Sequence, residues 1–151
     1  MIPDGHILIF IRHGKRIRNK ADRDEHLSDH GVAMAQRTGA WLRNNGFSPS
    51  VLLSTPWHRT RETAAIIQGQ CADTKPPILR IESGPASLAR LEFLAENQGT
   101  RAAIVAHHTT QEFLENAFDL EPTPRKQNAM VYVMEKRGDT WRCIARHPGE
   151  D

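Results

Sequence analysis

Apolar residues along this chain fall in short runs, separated by polar stretches marked with glycine or proline. The first run, Ile7 to Ile11, has the length and boundaries of a buried strand. Next comes "KRIRNKADRDEH", which mixes charges densely without apolar period and reads as a solvated loop. "LSDHGVAMAQRTGAWLRNNG" then predicts a helix: Ser28 is a plausible N-cap, and Val32, Ala35, Gly39 and Leu42 recur at helical spacing. Asn45 and Gly46 end it with residues that tolerate a left-handed turn.

The alternation continues. Val51 to Leu53 predict a short buried strand closed by Pro56, and "WHRTRETAAIIQGQ" a second helix with Ala64, Ala65, Ile66 and Ile67 facing inward. Ile78 to Ile81 offer a third strand, and "PASLARLEFLAENQG" a third helix with Pro85 in its first turn. "RAAIVAHH" is a fourth strand and "TTQEFLENAFDL" a fourth helix. The tail, "NAMVYVMEKRGDTWRCIARH", reads as two strands around the Arg137-Gly138-Asp139 turn. Strands alternating with helices imply βαβ units. The expected fold is therefore a three-layer α/β sandwich, a mostly parallel sheet with helices on both faces and an antiparallel C-terminal hairpin. No repeat or linker divides residues 1–151, so one domain is expected.

Composition narrows the partners. Twenty basic and 18 acidic residues leave a formal charge of +2. That balance offers no bulk electrostatic reason for a nucleic-acid or membrane partner. No apolar stretch approaches the ~18 residues of a membrane span, and the N-terminus lacks the pattern of a signal peptide. Cys71 and Cys143 have no metal-ligand or CxxC spacing and read as reduced thiols of a cytoplasmic protein.

The strand ends carry the chemistry. Strand one stops at Arg12-His13-Gly14, strand two runs into Ser54-Thr55-Pro56 and then Arg59, and strand four ends at His107-His108. Singly, each basic residue reads as a solvated or ion-paired side chain. In a parallel sheet, however, these carboxyl ends share one edge, so arginines and histidines converge where α/β folds bind ligands. Convergent arginines near helix N-termini make an anion site suited to phosphate.

"IRHGK" resembles the Arg-His-Gly signature of the histidine phosphatase superfamily, which includes phosphoglycerate mutases and acid phosphatases. "LSDHGVAMAQ" is similar to its Leu-Thr-x-x-Gly-x-x-x-Ala segment, with Ser28 in place of threonine. "STPWHRTRETA" is similar to Ser-Ser-Pro-x-x-Arg-Ala-x-Gln-Thr-Ala, with departures at Thr55, Thr60 and Glu62. "IVAHH" resembles the segment of the second histidine, with Ala106 in place of glycine. The short length and "RIESGPASLARL" resemble the small single-domain branch typified by bacterial protein phosphohistidine phosphatases, without the inserted segments that roof the site in longer members.

The resemblance implies a metal-independent phosphatase without cofactor. His13 would attack phosphorus and become phosphohistidine, Arg12 and Arg59 would hold the phosphoryl oxygens, and His107 would donate to the phosphoryl group. Glu82 lies where longer members place a catalytic acid; it reads equally as a solvated carboxylate at a helix start. Asn19 and His108 are candidates for the site rim. Gly14 is expected to let the backbone turn tightly without a side chain intruding on the phosphate. The substrate implied is a phosphorylated protein, specifically protein phosphohistidine. The alternatives are a small phosphorylated metabolite cleaved by a phosphomonoesterase, or a non-catalytic module that binds phosphate or phosphoprotein.

Overall fold

The computed structural model describes residues 5–18, 25–81, 101–123 and 127–150. Asn19, Glu82 and the helix expected over 85–99 lie outside them. Among the described residues, nine elements follow in chain order: β1 (Ile7–Arg12), α1 (Asp29–Asn44), β2 (Val51–Ser54), α2 (His58–Gln70), β3 (Ile78–Arg80), β4 (Arg101–Ala106), α3 (His108–Ala117), β5 (Val131–Arg137) and β6 (Thr140–His147).

The six strands form one mixed sheet in the order β3-β2-β4-β1-β5-β6. The pairs β3·β2, β2·β4 and β4·β1 are parallel, whereas β1·β5 and β5·β6 are antiparallel. The C-terminal hairpin thus extends the parallel part past β1. Gly138, at φ +59°, makes its turn.

Strand residues alternate between two apolar layers. Ile7, Ile9, Ile11, Leu52, Ala103 and Val105 pack with Leu42 of α1 and with Ala64 and Ile67 of α2. On the other face, Leu8, Phe10, Leu53, Ile104 and Tyr132 pack with Leu114 of α3. Both faces of β1 are therefore buried, which is why its sequence is a continuous apolar run without alternation. No helix among the described residues is long and apolar enough to cross a membrane, and Cys71 and Cys143 are free thiols.

Helix α1 keeps its expected cap, with Ser28 Oγ accepting from the Gly31 N–H at 3.0 Å. Its buried face is Gly31, Met34, Ala35, Thr38, Gly39 and Leu42, and Val32 is half-buried. Helix α2 departs from expectation. Ala65 is exposed and Ile66 half-buried, and the buried face is Thr60, Thr63, Ala64 and Ile67. Four consecutive residues span a whole turn and cannot share one face. Threonines complete the stripe because their hydroxyls bond to backbone carbonyls of the same segment. Helix α3 ends three residues before its expected limit. Asp119 takes φ +51°, and the Leu120 N–H returns to the Glu115 carbonyl at 2.8 Å, a Schellman-type stop.

The chain order creates a crevice. From β1 the chain crosses through α1 to β2 on one side; from β4 it crosses through α3 to β5 on the other side and the other face. β1 and β4 are neighbours whose carboxyl ends feed helices on opposite faces. In open α/β sheets such a reversal leaves a cleft at the strand ends.

Candidate active site

His13 is the first residue after β1. Its backbone is fixed on both sides of the crevice: its N–H donates to the Ala106 carbonyl at 3.1 Å, and its carbonyl accepts from Ala129 at 3.0 Å. The side chain is 3% exposed. Its Nδ1 lies 2.7 Å from the Gly14 carbonyl, and because a carbonyl only accepts, Nδ1 carries the proton. In the neutral ring, Nε2 then holds the lone pair. Burial, together with the positive surroundings of His107, Arg59 and Arg12, lowers the pKa of His13 to about 3. The imidazole is therefore neutral near pH 7.

His107 follows β4 and occupies the N-cap position of α3. Its ring meets that of His13 edge to face, with centroids 5.6 Å apart. Its Nε2 is 2.9 Å from the hydroxyl of Thr55, which in turn donates to Thr60 Oγ1 at 2.8 Å. Thr60 returns a bond to the Thr55 carbonyl at 2.9 Å. With the Thr55 proton committed to Thr60, Nε2–H of His107 is the donor to Thr55. Burial first, and then the charges of Arg59, His108, Arg16 and Arg12, lower the His107 pKa to about 4.

Those electrostatic effects locate the arginines. Arg12 and Arg59 both act on both histidines. Arg12 is the buried last residue of β1. Arg59, in the first turn of α2, lies over the Trp57 ring at 5.4 Å. The starts of α2 and α3 have no side-chain cap, so their first N–H groups are available to an anion, and the helix dipoles favour one there. Arg12, His13, Arg59 and His107 are thus brought together. His108, the first residue of α3, is exposed beside them. Among the described residues, no three histidine, cysteine, aspartate or glutamate side chains gather to hold a metal ion.

Gly14 also meets a packing requirement that the sequence reading did not expect. A Cβ there would lie 2.6 Å from the carbonyl oxygen of Gly31, and a Cβ on Gly31 would lie 2.0 Å from that of Lys15. The two glycines let the start of α1 press against the His13 loop, backbone on backbone. Helix packing therefore constrains this position.

The sequence reading also passed over the threonines. Thr63 Oγ1 accepts from the Gly14 N–H at 3.0 Å and donates to the Arg59 carbonyl at 2.7 Å, tying the histidine loop to the turn that presents Arg59. Its signal was its position four residues after Arg59, on the helical face that includes Thr60. Glu62 fastens the second half of the charged loop: its Oε1 accepts from the Leu27 N–H at 3.0 Å and pairs with His26 at 3.2 Å.

Comparisons with known proteins agree with this geometry. The sequence model of the histidine phosphatase superfamily (branch 1) matches residues 8–82. No curated protein sequence matches the chain significantly. Among solved structures, the chain is similar to a protein of Agrobacterium tumefaciens assigned as the phosphohistidine phosphatase SixA. The TM-score is 0.76 and the identity 21%, over 94% of this chain and 97% of that one. A phosphoglycerate mutase of Bacillus anthracis gives a TM-score of 0.72 at 15% identity, over 94% and 93%. A phosphoserine phosphatase of Entamoeba histolytica gives 0.68 at 16%, over 93% and 96%. At these identities the likeness concerns the fold, and the three activities differ, so the fold by itself selects no substrate. The family match runs from β1 to two residues past β3 and takes in Arg12, His13 and Arg59: the chain belongs to the histidine phosphatase superfamily, branch 1, and is a phosphatase.

Proposed function

We propose that the protein is a cytoplasmic, metal-independent phosphatase that works through phosphohistidine on His13 and acts on protein phosphohistidine. The observation that carries the reading is the state of His13. The ring is buried and neutral, its Nδ1 proton is held by the Gly14 carbonyl, and its Nε2 lone pair is left for phosphorus.

In the first step Nε2 forms an N–P bond while the bond to the leaving group breaks. Arg12 and Arg59 hold the equatorial oxygens, where charge resides in the transition state; the bound anion raises the pKa of His107, whose Nδ1 then carries a second proton and joins them while Nε2–H stays on Thr55. Permanently charged guanidinium forks suit that task. Water then attacks phosphorus, the N–P bond breaks, and neutral His13 and inorganic phosphate are regenerated. Glu82 remains the proposed acid for leaving groups that need a proton, and Asn19 and His108 the proposed rim. A phosphohistidine substrate departs as imidazole and needs less help than an alkoxide. The short chain and "RIESGPASLARL", which resemble the small single-domain branch, support that substrate. The phosphoserine phosphatase with the same fold keeps a small phosphorylated metabolite as the second reading.

The test compares a phosphohistidine peptide with p-nitrophenyl phosphate, using wild type, His13→Ala and Glu82→Gln. Turnover of the peptide well above that of the ester, none with His13→Ala, and little effect of Glu82→Gln on the peptide support the reading. Fast ester turnover that collapses in Glu82→Gln moves the substrate to metabolites. Near-normal activity of His13→Ala ends the nucleophile assignment.

A further inference from the structure

A groove of about 460 Å³ runs beside α3, starting at His108, next to His107, and ending at Asp119 and Leu120. That volume lies within the range of small-ligand sites. Residues 108, 111, 112, 115 and 119 recur at helical spacing, so one face of α3 and the turn after it supply most of the wall. Three carboxylates line the groove, Glu112, Glu115 and Asp119, and among the described residues no lysine or arginine does.

Acidic side chains alone would mark a solvated surface. Here a buried amide accompanies them. Gln111 is 2% exposed and lines the groove. Its Nε2 donates to Glu115 Oε2 at 3.2 Å and to the Thr123 carbonyl at 3.1 Å, while its Oε1 is buried with no hydrogen-bond partner among the described residues. A buried carbonyl oxygen left without a donor is costly and uncommon in native proteins. Glu115 is held equally firmly. Its Oε2 accepts from the Tyr132 hydroxyl and from the Thr123 N–H at 2.9 Å. Among the described residues, every hydrogen bond to Glu115 falls on Oε2, which leaves Oε1 with accepting capacity. The groove thus offers fixed acceptors and calls for a guest with N–H donors and positive charge.

The helix adds polarity in the same sense. Its positive N-terminal end adjoins His107 and its negative C-terminal end adjoins Asp119. An anion at one end and a cation at the other satisfy both. With a rise of about 1.5 Å per residue, Glu112 and Glu115 lie roughly 6 and 10 Å along the helix from His108. An extended peptide advances about 3.3 Å per residue, so a basic residue two or three positions from the phosphorylated one reaches this stretch.

Resting on the phosphohistidine phosphatase reading above, we propose that the α3 groove is a specificity subsite. It takes a lysine or arginine of the phosphorylated protein two or three residues from the phosphohistidine, through Glu112, Glu115, Asp119 and the Gln111 carbonyl.

The experiment uses phosphohistidine peptides that differ only at the second and third positions on either side, with lysine in one and glutamate in the other. Wild type should favour the lysine peptide by about tenfold in kcat/KM, expressed in KM, the size of one charge-assisted contact. The double variant Glu112→Gln/Asp119→Asn should bring the ratio near one. Asparagine suits this change because it tolerates the positive φ of position 119. Glu112→Lys should reverse the preference, and a ratio within one variant is unaffected by a general loss of activity. A wild-type ratio near one, or a ratio unchanged in these variants, overturns the proposal while leaving the phosphatase reading intact. If neither peptide is turned over, that reading fails. The groove is then judged by calorimetric binding of the same two peptides: tighter binding of the lysine peptide, lost in the double variant, upholds it, and equal binding overturns it.

Discussion

Replacing Gly31 by alanine sets two physical effects against each other, and the structure decides between them. Gly31 is the third residue of α1, where intrinsic helix propensity favours alanine over glycine by about 1 kcal/mol. The geometry opposes it. The new Cβ would sit 2.0 Å from the Lys15 carbonyl oxygen, whereas ordinary contact begins at 3.4 Å, and the obstacle is backbone rather than a flexible side chain. The start of α1 must retreat by more than 1 Å. Overpacking of this kind costs about 1–3 kcal/mol. The movement also breaks two bonds to the same carbonyl, from the Ser28 N–H and the Ser28 hydroxyl, each 2.9 Å long and each worth about 1 kcal/mol. The net loss is about 2–4 kcal/mol. Urea unfolding reads this directly: with a slope of about 2 kcal/mol/M, the midpoint should fall by roughly 1–2 M. Gly69→Ala is the control. It lies in α2 with nothing within 4 Å of its added Cβ, and it should gain up to about 1 kcal/mol. If Gly31→Ala matches or exceeds wild-type stability, the backbone contact between the histidine loop and α1 is not what requires glycine there.

Two other predictions concern the histidines. The pKa values of His13 and His107 are lowered to about 3 and about 4, chiefly by burial, against about 6.5 in the unfolded chain. Below pH 6.5 the unfolded state therefore binds more protons, and stability falls as pH falls, by about 1.4 kcal/mol per pH unit for each histidine until its folded value is reached. Urea unfolding at pH 7 and pH 5 should show this slope, and His13→Gln should remove about half of it; equal slopes in the two proteins would contradict the burial account. Thr55→Val deletes the hydroxyl at His107 Nε2 and should lower kcat about 10- to 100-fold, as a misplaced reacting group does. Thr55→Ser should restore it, and normal kcat in the valine variant would show that His107 needs no such support.

Much of the architecture was legible in local pattern. The continuous run Ile7 to Ile11 announced a strand buried on both faces, and Ser28 announced the start of α1 through the hydrogen bonding of its own side chain. The alternation of strands and helices implied a parallel sheet, hence a shared edge for Arg12, His13, Arg59 and His107. Short-range chemistry determined these features, so a linear reading reached them.

Other features depended on which segments meet. Gly14 and Gly31 are 17 positions apart, and only the crossing of α1 over the histidine loop explains why neither tolerates a Cβ. Thr55, Thr60 and Thr63 looked like turn and helix residues. Packing buried them and made their hydroxyls the links between His107, Gly14 and the Arg59 turn. The neutrality of His13 is likewise a property of its surroundings, since an exposed histidine would titrate near pH 6.5. The groove along α3 emerged only when Tyr132 of β5 and Thr123 closed around Glu115. Sequence alone determined which residue types reach the sheet edge, because that follows from local periodicity. The tertiary structure decided their protonation, their orientation and what lies beside them, because those follow from desolvation and contacts between distant segments.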